Sequence, residues 1–448
     1  MNVVPYLIGI AVIVVGLAVS IALHEIGHLV PAKRFGVRVG QYMIGFGPTL
    51  WSRTYGETQY GVKAIPLGGY ISMAGMYPPS PKEAARAAAR HRDGRAGGGF
   101  FATMVQDARS ANDETLHGED DDRVFYKLPV YKRIIIMLGG PVMNLLFAIF
   151  LFTVLFSAIG IQQGTTTVAT VSECVVPAGS TQTDCTASDP VAPAAAAGML
   201  PGDVILSIDG TEVSTFDEAS TIIRESPGQQ LAIVVERDGE QLTLQATPLL
   251  AERPTYDAAG REVVDENGDL VTVEVGFLGV RPVYGLVRQP ITAGPQAAFE
   301  NVGAVAGIVV QLPVKLYAIA ESLLTGGERD PEGPLSVVGV GLIAGEVAAQ
   351  DAPILSRLAA MLGLVASLNI ALFVFNLIPL LPLDGGHIAV ALWEGVKRVW
   401  AKVFRRPPPK PVDATKLVPV TFVVVVLLIA MGALLLLADI FNPVQLFN

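Results

Sequence analysis

A chain of 448 residues that is 51% apolar and only 16% charged, with a mean hydropathy of +0.49, is too apolar for an ordinary soluble protein of that length. Its 41 acidic and 31 basic residues leave a net charge of −10, a balance that argues against a nucleic-acid partner. The composition points to a membrane protein of several segments.

A bilayer crossing needs roughly 20 apolar residues, and residues 3–23 form the first stretch free of Asp, Glu, Lys and Arg. No Lys or Arg precedes it, and Lys33 and Arg34 follow it, which argues against a signal peptide. At its end stands His24-Glu25-Ile26-Gly27-His28, an H-E-x-x-H pattern. Residues four apart share one helix face, so both imidazoles can bind one Zn²⁺. Ionisable groups at membrane depth are costly and tend to mark function. Residues 37–76 then alternate in a strand-like way and are rich in glycine, as in Gly45-Phe46-Gly47-Pro48 and Pro66-Leu67-Gly68-Gly69-Tyr70. Short β-hairpins close to the membrane are expected there. Residues 78–123 lack apolar periodicity and read as a flexible cytoplasmic insertion.

The second uncharged stretch, 134–161, leads into a segment, 162–353, with 8 Lys plus Arg against 26 Asp plus Glu. Lys and Arg collect instead between the first and second stretches and between the third and fourth, so those loops are cytoplasmic and the acidic segment is external. Both termini are then external too. Cys174 and Cys185 lie in the external segment, where an oxidising compartment allows a disulfide; two free thiols are the alternative. Residues 194–210, with Gly202-Asp203 and Asp209-Gly210, resemble the most regular stretch of a PDZ domain, which fits about 165–284. Residues 297–324 are helical, but their uncharged core is short of a span and is followed by Lys315 and Glu321. A helix lying on the outer membrane surface is expected rather than a fifth crossing.

The third stretch, 358–383, ends in Leu383-Asp384-Gly385-Gly386-His387, and the fourth is 417–438. Between them runs a basic, Pro-rich cytoplasmic loop. Asp384 is a carboxylate closing an apolar run, at the same cytoplasmic-side depth as His24 and His28. Two His plus one carboxylate, with a fourth position left to water, is the donor set of a catalytic zinc site. The expected fold is a multi-pass α-helical membrane protein with four transmembrane helices, a membrane-associated β-hairpin region and an extracytoplasmic PDZ-like α+β domain. Its segments are 1–33, 34–77, 78–123, 124–161, 162–285, 286–353, 354–387, 388–414 and 415–448.

The two motifs together resemble the site-2 protease family of intramembrane metalloproteases, in its bacterial branch with an extracytoplasmic PDZ domain. The stretches Gly45 to Pro48, Pro66 to Tyr70 and Gly140-Pro141-Val142-Met143-Asn144 match as well. The resemblance implies His24, His28 and Asp384 as Zn²⁺ ligands and Glu25 as the general base for a zinc-bound water. It places Asn376 near the substrate backbone or the developing oxyanion, with Gly68 and Gly69 of the hairpins beside the substrate. Asn144 and Asn369 read as packing residues, and His387 as a residue outside the ligand set. The implied partners are the lipid bilayer and single-span membrane proteins of the anti-sigma factor type, already trimmed by an upstream site-1 protease. The implied location is a bacterial inner membrane, with the active site toward the cytoplasm. The PDZ-like domain either reads a newly made C-terminus or filters substrates by size, and the lack of a clear carboxylate-binding loop favours the filter. A non-catalytic scaffold would have no need of Glu25, and a metal transporter would carry polar ligands at several depths.

Overall fold

The computed structural model describes residues 3–76, 122–176, 185–186, 188–255, 263, 270–327, 329–331, 333–407, 409, 412 and 417–444. All but the last two residues of the expected insertion at 78–123 lie outside them. The chain divides into two compact units, one built from Met1–Ala158 with Pro290–Asn448 and the other from Ile159–Gln289.

The first unit begins with helix α1, Val3–Arg34, about 48 Å long at 1.5 Å per residue. Its buried residues include Gly9, Ile13, Leu17, Ile21, Glu25 and His28, recurring every three or four positions. One face therefore packs and carries the chemistry, while Val4, Leu7 and Val15 stay exposed, as a lipid-facing side requires. Strands β1, Val39–Tyr55, and β2, Thr58–Met73, follow. Each is too long to stay straight, and both fold back on themselves. Tyr42 pairs with Ile71 on one side and with Tyr60 on the other, so two strands give four antiparallel rows. Gly45 and Gly47 take φ of +92° and +84° at the bend, a region open to glycine at no steric cost. Helix α2, Val130–Thr153, continues as a π-helical stretch, Val154–Ile159. Leu29 and Ala32 of α1, Val39 and Met73 of the sheet, and Ile136 and Met137 of α2 share one apolar core.

The second unit is a mainly antiparallel sheet. Its strands are β3 (Ile161–Val171), β4 (Val204–Ile208), β5 (Thr211–Glu212), β6 (Leu231–Arg237), β7 (Glu240–Ala246), β8 (Leu249–Pro254), β9 (Thr272–Phe277) and β10 (Val280–Val287). The main order is β10-β3-β4-β6-β7, with β5 on β4 and a separate β8-β9 pair. A short helix α3 (Pro193–Ala196) precedes β4, and α4 (Phe216–Glu225) covers the sheet. Thr215 and Glu218 close a capping box at the start of α4. Ile205, Ile208, Leu231, Ile233 and Val235 fill the core against Ala219 and Ile223 of α4. Cys174 and Cys185 are disulfide-bonded. Asp203, almost fully buried, accepts hydrogen bonds from the Leu200 amide and from Nε and Nη2 of Arg237. The Arg237 guanidinium holds its carboxyl below the usual carboxylate range. A lowered folded-state pKa stabilises the fold above the ordinary carboxylate range, and that contribution is lost as pH falls toward the lowered value. Asp203→Asn should therefore cost about 1–2 kcal/mol at pH 7, allowing for the solvent around Arg237. Thermal unfolding of both full-length forms at pH 7 and pH 3 tests it, and a gap that does not shrink at pH 3 counts against the ion pair as its cause.

The first unit resumes with α5 (Ala293–Thr325), α6 (Val337–Ala349), α7 (Ile354–Asn376), α8 (Asp384–Val403) and α9 (Val418–Phe441). Among the described residues five helices are long and apolar enough to cross a membrane: α1, α2, α5, α7 and α9. The sequence expectation was four spans, with α5 on the surface. The helix runs unbroken through Pro313 and Lys315 for 33 residues, longer than the short uncharged core suggested, and reaches crossing length by length and composition. Two further differences lie nearer the chemistry. The third span, read as 354–387, stops at Asn376 because Pro379 and Pro382 break it into a turn. Residues 388–403, read as part of a basic loop, continue the helix α8 that starts at Asp384. The loop after α5 contains α6, whose Ala344 lies against Gly9 of α1. Asn369 of α7 donates to Ser20 of α1 at 2.8 Å, a buried polar link between apolar helices.

Candidate metal centre

His24 and His28 project from one face of α1, and Asp384 is the first residue of α8. The two Nε2 atoms are 3.2 Å apart, and each lies 3.3 Å from Asp384 Oδ2. Bonds of 2.0–2.1 Å in a tetrahedron put neighbouring donors about 3.3–3.4 Å apart. The triangle fits the base of such a tetrahedron. Oδ2 of Asp384 is buried without a hydrogen-bond partner, an orphaned charge that a cation would satisfy. Among the described residues this is the one group of His, Cys, Asp and Glu donors close enough to hold a metal ion. His387, three residues further on, is outside it.

The second ring nitrogen decides whether a histidine can ligate. Nδ1 of His28 lies 2.7 Å from the Ile136 carbonyl, so it carries the proton and leaves Nε2 free. Nδ1 of His24 faces the Asn144 amide at 3.2 Å. The amide presents Nδ2, and its Oδ1 is buried without a partner. A His24 that ligates through Nε2 needs an acceptor at Nδ1, and a half-turn of the amide supplies Oδ1. Asn144, read from sequence as a packing residue, thus orients a candidate ligand. Its contact spans 120 positions, and its only sequence signal was its place in Gly140 to Asn144. Asn144→Leu should weaken zinc retention by roughly 10–100-fold, while Asn144→Asp, which keeps an acceptor, should retain the metal. Chelator titration of the purified proteins separates the two.

Glycine sets the walls. A Cβ on Gly140 would lie 2.3 Å from His28 Nε2 and 2.7 Å from His24 Nε2, so α2 faces the donors with bare backbone. A Cβ on Gly27 would meet the Gly139 carbonyl at 2.2 Å, so α1 and α2 touch main chain to main chain. Gly69 of β2 lies over α1, where a Cβ would come within 3.1 Å of Glu25 Cγ. Glu25 itself is buried. Gly68 takes φ +148° against the Phe46 ring. Asn376 stands at the end of α7 and donates to the Leu372 carbonyl of its own helix at 3.0 Å.

Asp384 is held from two sides. The turn 377–383 wraps so tightly over the start of α8 that a Cβ on Gly385 would lie 2.4 Å from the Leu377 and Ile378 carbonyls. Further along α8, the fully buried Glu394 takes Arg133 of α2 at 2.9 Å and Arg398 at 2.5 Å. Arg133 is one turn before Ile136, whose carbonyl holds His28, so one stretch of α2 anchors both halves of the centre. A carboxylate in the first turn of a helix is also favoured by the exposed amides there.

The match to known proteins runs the length of the chain. Residues 12–410 match the model of peptidase family M50. Zinc metalloprotease Rip1 of Mycobacterium tuberculosis is 34% identical over 99% of this chain and 100% of its own. The chain belongs to peptidase family M50. Zinc metalloprotease Rip1 of Mycolicibacterium smegmatis is 33% identical over 98% of this chain and 99% of its own. Metalloprotease MmpA of Caulobacter vibrioides is 30% identical over 85% of each. The resemblance carried by the motifs therefore holds: the M50 chain is a zinc metalloprotease of the site-2 kind.

Proposed function

We propose that this M50 protease is an intramembrane endopeptidase that cuts single-span membrane proteins, with His24, His28 and Asp384 as the zinc ligands and Glu25 as general base. The convergence of three donor atoms on a triangle of zinc dimensions carries the reading. Zinc, when bound, supplies Lewis acidity and lowers the pKa of a coordinated water toward about 7. Glu25 takes the proton as the scissile carbonyl is attacked and returns it to the leaving amine. The Ile136 carbonyl holds His28 in the ligating tautomer, Asn144 does the same for His24 once its amide is turned to present Oδ1, and Arg133 with Glu394 keeps Asp384 in place.

A helical substrate hides its amides in its own hydrogen bonds, so it must unwind before it is cut. Gly69 and its row of β2 lie beside Glu25 and give an extended segment a strand to pair with. Gly68 leaves the start of that row without a side chain. Asn376 turns from its Leu372 carbonyl to the substrate backbone. The unit Ile159–Gln289 acts as a PDZ-like filter, admitting proteins of the anti-sigma factor type once an upstream site-1 protease has trimmed their external part. With α5 on the outer surface and four crossings, Lys and Arg in the two loops favour the cytoplasmic side of a bacterial inner membrane for the centre, with both termini outside.

The test is reconstitution of the full chain in vesicles with a tagged single-span substrate. A shortened cytoplasmic fragment should form, stop forming with a zinc chelator and return on zinc addition. A substrate left intact by zinc-loaded protein overturns the reading.

A further inference from the structure

Helix α8 has one face turned inward and one turned out. Ala391, Glu394 and Ala401 are buried, and the Arg133–Glu394 pair fixes that face to α2. On the other face Leu392, Val396, Val399, Trp400 and Val403 are each more than half exposed, at spacings that keep one stripe of a 3.6-residue helix. Trp393 and Phe404, equally exposed, widen it. Two of the chain's three tryptophans therefore stand on this surface. A hollow of 470 Å³ beside the stripe, floored by Val130 of α2, gives an acyl chain room.

The charges around the stripe have one sign. At 100° per residue Lys397 falls on one border and Lys402 on the other, and Arg405 and Arg406 lie just past the end. The acidic residue between 385 and 406 is Glu394, which is buried and paired with two arginines. With Glu394, Lys397, Arg398 and Lys402 within 20 residues, α8 is not a crossing helix. An aromatic and aliphatic stripe between lysines fits a helix lying in an interface, its lysine stems buried and their ammonium groups at the phosphates.

We propose that α8 lies in the plane of the membrane and docks on the anionic lipid surface of the leaflet nearest the metal centre. The partner is a layer of acidic phospholipid, taken up by the Leu392–Val403 stripe and held by Lys397 and Lys402. Since α8 begins at Asp384, the bilayer surface then steadies that carboxylate from outside, as Arg133 does from within. The proposal rests on the reading that the chain spans a bilayer, and its test needs no proteolysis.

The full-length protein carrying Trp51→Phe and Trp393→Phe keeps Trp400 as its one tryptophan, excited selectively at the red edge where tyrosine does not absorb. It is reconstituted in vesicles of phosphatidylcholine with or without phosphatidylglycerol, using lipids brominated near the headgroup or deep in the chain. Trp400 should lose most of its emission to shallow bromines, less to deep ones, and little to aqueous iodide. Quenching should weaken without phosphatidylglycerol and in Lys397→Gln/Lys402→Gln. Quenching by iodide alone, or stronger quenching by deep bromines, overturns the proposal. Protection from both quenchers also overturns it, because a second copy or another part of the chain then covers the stripe. A Phe150→Trp reporter on α2, with the native tryptophans replaced, is the control: if it too escapes bromine, the membrane reading fails along with the proposal.

Discussion

Replacing Glu25 by glutamine should leave zinc bound and slow substrate cleavage by about 10²–10⁴-fold, the range that a positioned general base supplies. The change is nearly isosteric, so the packing of this buried side chain beneath Gly69 is kept. What is lost is the capacity to take and return a proton. None of the three converging donor atoms belongs to Glu25, so metal content is the internal control. Single-turnover cleavage by zinc-loaded wild type and variant gives the ratio. Equal rates would remove Glu25 from the chemistry, and a variant that also loses zinc would make its role structural.

Gly140→Ala should act the other way, weakening zinc binding while leaving Glu25 in place. The new methyl would lie 2.3 Å from one donor nitrogen and 2.7 Å from the other, far inside contact distance. The imidazoles cannot step aside without breaking the contacts of His28 with the Ile136 carbonyl and of His24 with Asn144. Moving α2 outward would part the backbone contact of Gly27 with Gly139. Overpacking costs about 3 kcal/mol at such a position, which is about a 100-fold loss of zinc affinity. Gly432→Ala in α9, where a Cβ meets no atom within 4 Å, should change nothing. Zinc stoichiometry by elemental analysis decides, and a Gly140→Ala protein with full zinc would mean that the two helices yield more easily than their contact suggests.

The centre was legible because its parts obey local rules. Four-residue spacing put His24 and His28 on one helix face, and an uncharged run ending in Asp384 gave the depth at which a third donor had to be. The elements that hold these groups obey no local rule. Asn144 reaches His24 across 120 positions, and nothing in its own neighbourhood tells a hydrogen-bonding asparagine from a packing one. In 388–403 the basic residues drew the reading toward a loop, although Leu392, Val396, Val399 and Val403 recur at helical spacing. The length of α5 was hidden by Pro313 and Lys315, which interrupt the composition without interrupting the helix. The double register of β1 and β2 depends on bends at Gly45 and Gly47, and strand alternation alone does not say which glycine turns the chain.

The donors of the centre are also far apart in time. Asp384 is synthesised 356 residues after His28, which at ribosomal speeds of 5–20 residues per second is a delay of roughly 20 to 70 s. Through that interval the nascent chain holds His24, Glu25 and His28 on a completed helix, yet lacks the carboxylate that completes the candidate metal centre. A truncated product ending anywhere before α8 would thus enter the membrane without the proposed third ligand. On that reading a peptidase of this family, threaded into a membrane, stays without its proposed centre until the start of α8 has been made.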